Sequence, residues 1–114
     1  VPTAGQAAAF DREALREIGL LDVQVPPRYA TSYFNHVWGG GYAAGYYSYL
    51  WTEVLADNIA SCFAKRGALN PEVGQDFRKK VLSRGNTKDL MQTFTDFTGL
   101  KTPDVSALMK ARGM

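Results

Sequence analysis

The chain has 114 residues, 46% of them apolar, and thirteen Lys and Arg stand against eleven Asp and Glu. That length allows one compact domain, the scattered charges form no basic block to hold a nucleic acid, and no apolar run reaches the roughly 18 residues that a bilayer crossing needs. A single cysteine, Cys62, excludes an internal disulfide, and a single histidine, His36, excludes any two-histidine zinc motif within these residues.

The first predicted element is a helix from Thr3 to Leu20. Ala7, Phe10, Ala14, Leu15 and Ile18 recur at helical spacing among charged residues, and Gly19 stops the run. Residues 21–41 read as an extended or looping connection. Pro26 and Pro27 remove two backbone donors, so no helix runs through them. The stretch Arg28 to Phe34 is β-prone and aromatic. Gly39-Gly40-Gly41 then breaks the chain with three residues that lack a Cβ, so the loop can bend sharply and move.

A long helix is predicted over residues 42–66, ended by Gly67. Its apolar positions Leu50, Trp51, Val54, Leu55, Ile59, Cys62 and Phe63 cover a wide arc, which predicts burial on most sides. Cys62 reads as a small packed helix residue, since a nucleophile would need a base beside it. Three short helices fill residues 70–114. Asn70-Pro71-Glu72 is a capped start with proline at the first helical position. Asn86 or Thr87 is the expected cap of the next, with Leu90, Met91, Phe94 and Phe97 inward. Thr102-Pro103-Asp104 opens the last, with Val105, Leu108 and Met109 inward. The predicted class is all-α.

The chemistry concentrates between His36 and Glu53. At roughly 100° per residue, Tyr42, Tyr46, Tyr49 and Glu53 share a helical arc of about 60°. Tyrosines so spaced serve ordinary packing, or they form a row of phenol donors facing a cleft. A phenol with a pKa near ~10 stays protonated at neutral pH and can donate to a developing oxyanion. A histidine before a glycine loop either hydrogen-bonds to backbone or supplies a further donor to a peptide. The loop lacks a following Lys-Ser/Thr, so it is no phosphate loop.

The run from His36 through the three glycines to Tyr42, Tyr46, Tyr49 and Glu53 resembles the C-terminal signature of the M3 metallopeptidases. Arg28-Tyr29, Tyr33-Phe34, Leu82-Ser83-Arg84-Gly85-Asn86 and Arg112-Gly113 match as well, so the resemblance covers nearly the whole chain. The Trp38-Gly39-Gly40-Gly41 form of the loop looks most like the bacterial peptidyl-dipeptidase (dipeptidyl carboxypeptidase) branch, with oligopeptidase A a close second.

The resemblance implies the C-terminal helical portion of a zincin-like catalytic domain with a peptide channel. In the family a His-Glu-x-x-His helix and a later Glu hold zinc, which polarises the scissile carbonyl and activates water. Carried over by position, Tyr49 is the oxyanion donor, Tyr42 the loop tyrosine that contacts substrate, and His36 a hydrogen-bonding partner of substrate or intermediate. Tyr46 is a weaker substrate-side residue, and Gly39, Gly40 and Gly41 are the loop that adjusts around peptide. The zinc motif is absent, so the chain is expected to be a piece of a longer polypeptide, inactive alone and holding no zinc itself. Its expected partners are peptide substrate and the remainder of that polypeptide, in the cytoplasm or, alternatively, the periplasm. The other class of reading is a non-catalytic helical interaction module. Arg84 is left with two roles, pairing with an acid in the fold or holding a substrate carboxylate.

Overall fold

The computed structural model describes all 114 residues and contains six helices and no strand. In place of the single domain that length allows, the chain divides into two compact units, residues 1–46 and 47–114.

Unit 1 opens with α1, Ala7–Glu17. The helix is shorter than the Thr3–Leu20 span that apolar spacing predicts, because both ends are taken up by turns. The Gln6 side chain accepts from the Thr3 N–H at 2.9 Å and from the Thr3 hydroxyl at 2.7 Å. At the other end the Leu20 N–H returns to the Leu15 carbonyl at 2.8 Å, closing the helix around Gly19. The β-prone Arg28–Phe34 stretch forms no strand. It tightens instead into a 3₁₀ turn, Thr31–Tyr33, followed by the one-turn helix α2, Asn35–Trp38. With no second strand beside it, a lone extended segment would leave its backbone groups unpaired.

Unit 2 is built on α3, Ser48–Arg66. The spacing predicts a start near Tyr42, and the helix begins six residues later. Residues 43–47 are turns, with the Gly45 N–H bonded to the Tyr42 carbonyl at 3.1 Å. Gly45 costs about 1 kcal/mol in a helix interior, and the Tyr42 and Tyr46 rings pack within unit 1 instead. No side chain caps the first turn of α3.

Burial also departs from expectation. Only Val54 and Asn58 of α3 are buried, while Leu50 and Trp51 keep 50% and 48% of their surface exposed. The wide apolar arc has more surface than the short helices around it can cover. Those helices are α4, Pro71–Phe77, running on into a π-helical turn at Arg78–Leu82, then α5, Leu90–Thr98, and α6, Val105–Ala111. The Asn70 side chain caps α4 by accepting from the Glu72 N–H at 2.9 Å. The cap of α5 is Asp89, which accepts from the Gln92 N–H at 2.8 Å, not Asn86 or Thr87. Thr87 is spent on a turn with the Arg84 carbonyl. On α5 the inward residues are Thr93, Phe94 and Phe97, with Leu90 exposed; on α6 only Leu108 is buried, with Val105 and Met109 exposed.

Two devices hold unit 2 together. Phe63, Phe77 and Phe97 meet with ring centroids 5.0–5.5 Å apart, joining α3, α4 and α5. The Arg66 guanidinium lies 5.4 Å over Phe97 and also pairs with Asp76. The second device is Asn58, 2% exposed. Its amide donates to the Val54 carbonyl at 2.6 Å and the Asp104 carbonyl at 2.8 Å, and its oxygen accepts from the Asp104 N–H at 3.1 Å. One side chain therefore satisfies both backbone groups at the start of α6. Beyond the far end of α6, Arg112 reaches Glu53 of α3 at 2.7 and 3.3 Å.

Two outcomes follow for stability. Asn58→Ala leaves the Asp104 backbone donor and acceptor without these partners, and each such loss costs about 1–3 kcal/mol. The urea midpoint should fall accordingly, and an unchanged midpoint would remove Asn58 from the account. The second outcome concerns pH. Lys80, then Arg66, hold the Asp76 carboxyl below its ordinary value of 3.8; Lys88 and Gln92 do the same for Asp96, and Ser106 for Asp104. Groups lowered in the folded state stabilise it above the ordinary value and lose that contribution as pH falls through the lowered one. Unit 2 should therefore hold its urea midpoint down to about pH 4 and lose it progressively below. Asp76→Asn should flatten that loss, and salt should weaken it because these pairs are exposed.

Candidate functional site

Residues 28–46 position the aromatic groups of unit 1. Pro26 and Pro27 precede this stretch and carry no regular structure, and the Arg28 guanidinium sits 5.3 Å over the Tyr29 ring. The turn at Thr31 is tied back to α1, since the Asp11 carboxylate accepts from the Thr31 N–H at 2.9 Å and from its hydroxyl. The Thr31 carbonyl in turn accepts from the Trp38 indole at 2.7 Å. These bonds hold α2, and with it His36.

The loop after α2 is less free than three glycines suggest. A Cβ on Gly40 would stand 2.6 Å from the His36 carbonyl oxygen and 3.2 Å from His36 Cδ2, and one on Gly39 would stand 2.6 Å from Asn35 Oδ1. Those two glycines permit a close approach, and Gly41 alone carries a positive φ, +79°. The loop thus folds back onto the helical turn before it.

Three of the predicted site residues come together. The His36 ring lies 4.9 Å from Tyr42 and 5.6 Å from Tyr46, both edge-to-face, and the two tyrosines are 6.3 Å apart. Phe34 backs the group, edge-on to Tyr46 at 4.7 Å and stacked on Tyr29 at 4.7 Å. An open groove of about 810 Å³ runs between α1 and residues 21–34 and shares Tyr29 and Phe34 with this cluster.

The single helical face predicted for Tyr42, Tyr46, Tyr49 and Glu53 does not form. Tyr42 and Tyr46 precede α3 and belong to unit 1, while Tyr49 stands in the first turn of α3 in unit 2. Glu53, on the same helix, is paired with Arg112. The Arg84 Nε donates to the Lys79 carbonyl at 2.9 Å, so its guanidinium braces the end of the π-helical turn. Asp11, Thr31 and Trp38 escape sequence reasoning as site supports. Asp11 reads only as part of the polar face of α1, and no local pattern links it to a threonine twenty positions on.

No group of three or more His, Cys, Asp or Glu side chains is arranged to hold a metal ion. With one histidine and no such cluster, these residues do not fit a zinc centre. No helix is long and apolar enough to cross a membrane.

Comparison with known proteins bears on nearly the whole chain. The dipeptidyl carboxypeptidase of Salmonella typhimurium is 45% identical over 107 residues, which is 94% of this chain and 16% of that protein. The Escherichia coli dipeptidyl carboxypeptidase is 48% identical over 90 residues, 79% of this chain and 13% of the relative. Oligopeptidase A of Escherichia coli is 42% identical over 106 residues, 90% of this chain and 15% of the relative. The chain thus spans less than a fifth of the length of these relatives. No solved structure matches it. The sequence pattern of peptidase family M3 matches residues 9–114, so the chain belongs to that family.

Proposed function

We propose that this chain supplies the substrate-facing and oxyanion-stabilising part of a zinc metallopeptidase that hydrolyses short peptides and releases C-terminal dipeptides. The observation that carries the reading is the meeting of His36, Tyr42 and Tyr46 in one aromatic cluster, in a chain 45% identical to a dipeptidyl carboxypeptidase. In this reading zinc would be held by residues outside the 114 and would supply Lewis-acid chemistry to the carbonyl and the attacking water.

The roles of this chain's own groups follow from their chemistry. Tyr49 donates its phenol proton to the oxygen that gains charge as the peptide carbonyl becomes tetrahedral. The donation is a hydrogen bond, which strengthens as charge develops on that oxygen. Tyr42 and His36 hydrogen-bond the peptide, and Tyr46 lines the substrate side. Gly39 and Gly40 hold the loop against α2, and Gly41, whose Cβ side is open, lets the backbone approach the bound peptide. The oligopeptidase A type of cleavage differs only in where along the peptide the bond is cut, and product analysis on a blocked pentapeptide separates the two.

The test is kinetic. In the polypeptide that carries both this region and the zinc motif, Tyr49→Phe should lower kcat by about 10²–10³ with zinc content unchanged. A near-normal kcat would remove Tyr49 from the mechanism. The 114-residue chain alone should neither hydrolyse peptide nor bind zinc stoichiometrically, and tight stoichiometric zinc on it would contradict the assignment of the metal elsewhere.

A further inference from the structure

His36 sits on a helical turn of only four residues, Asn35–Trp38. A turn that short has no stability of its own, so the direction of the imidazole depends on what holds the turn. On one side the hold is a relay of hydrogen bonds that begins on a different helix. The Asp11 carboxylate takes both donors of Thr31, the N–H at 2.9 Å and the hydroxyl. Thr31 is thereby fixed with its carbonyl toward α2, where it accepts from the Trp38 indole at 2.7 Å. Trp38 is two residues past His36 and ends the turn. On the other side, a Cβ on Gly40 would stand 2.6 Å from the His36 carbonyl oxygen and 3.2 Å from its ring Cδ2, so there is no space for a methyl group. The ring itself meets Tyr42 and Tyr46.

We propose that Asp11 is a positioning residue for His36, acting through Thr31 and Trp38. The proposal rests on the substrate-contacting role given to His36 above and adds to it a group on α1 that touches neither the imidazole nor, in that reading, the peptide. Asp11 is a positioning group because a carboxylate is the side chain that accepts from two Thr31 donors at once. An imidazole that must meet a peptide within hydrogen-bond reach tolerates little angular error, and the relay removes one degree of freedom from it.

The chain contains one histidine, so the imidazole signals in an NMR spectrum of the whole 114-residue chain belong to His36 alone. The wild-type Hε1 and Hδ2 signals are expected away from the free-imidazole position because of the two neighbouring tyrosine rings. Asp11→Ala and Trp38→Phe should each move them toward that position. Thr31→Ser, which keeps the hydroxyl and both backbone groups, should leave them in place. Glu13→Gln, on the same helix but paired only with Arg16 there, should leave them too. Asp11→Asn retains one acceptor and should give a smaller displacement; it replaces Asp11→Ala if that variant loses its helical circular dichroism. Tyr42→Ala strips a ring from the imidazole and shows how far the signals can move.

If either Asp11 replacement or Trp38→Phe leaves the signals on the wild-type position while Tyr42→Ala moves them, the relay is overturned. A wild-type signal already at the free-imidazole position overturns it as well. No peptide is turned over in this experiment, so loss of the peptidase reading and loss of the relay register separately.

Discussion

The close approach of Gly40 to His36 is the constraint on which the candidate site depends. With the His36 carbonyl 2.6 Å from where a Cβ would stand, the chain can turn back over α2 only if that residue is glycine. The turn then delivers Tyr42 and Tyr46 to the imidazole they flank. Three adjacent glycines suggest slack, and their packing argues for the opposite. Gly40 fills a space too small for a side chain, Gly39 lies against the movable Asn35 amide, and Gly41 takes a backbone angle that other residues avoid. The same fold-back ends any prospect of a helix through residues 42–47, since the two tyrosine rings are committed to unit 1.

Unit 2 depends on a polar contact in an otherwise apolar setting. Asn58 is the only α3 side chain besides Val54 to be buried, and it is buried because it can satisfy a donor and an acceptor of one residue on another helix. A buried amide with all its groups bonded orients its neighbours in a way that leucine cannot. The Phe63, Phe77 and Phe97 cluster supplies apolar area, and Asn58 determines which residue of the α6 start meets α3.

The parts of the fold legible in the sequence are those that need only near neighbours. Asn70-Pro71-Glu72 announces a helix start because a cap, a proline ring and an acid act within one turn. The ends at Gly19 and Gly67 are local in the same sense. What fails is whatever a distant ring or carboxylate decides. Periodicity runs α3 back to Tyr42 because nothing local marks Tyr42 and Tyr46 as partners of His36. Asp89 is the cap because α5 starts at Leu90, directly after it, and Asn86 and Thr87 lie upstream in a turn. At the site, the residue types were readable and their grouping was not: spacing aligns Glu53 with the tyrosines, but Arg112, fifty-nine positions away, claims it. The family signature was legible because a glycine run flanked by one histidine and several tyrosines is rare. The relay through Asp11 was not, because an acid on an amphipathic helix is common.

The chain has two tryptophans, and they fall one to each unit, Trp38 in the first and Trp51 in the second. Their surroundings differ in kind. Trp38 is the more exposed of the two, 64% against 48%, but its indole N–H is bonded to a backbone carbonyl. The protein therefore carries its own two-channel optical probe. Replacing either indole isolates the emission of the other, so the melting of each unit can be followed without an attached dye. Coincident melting would mark the units as one cooperative block, and separated melting would mark them as two.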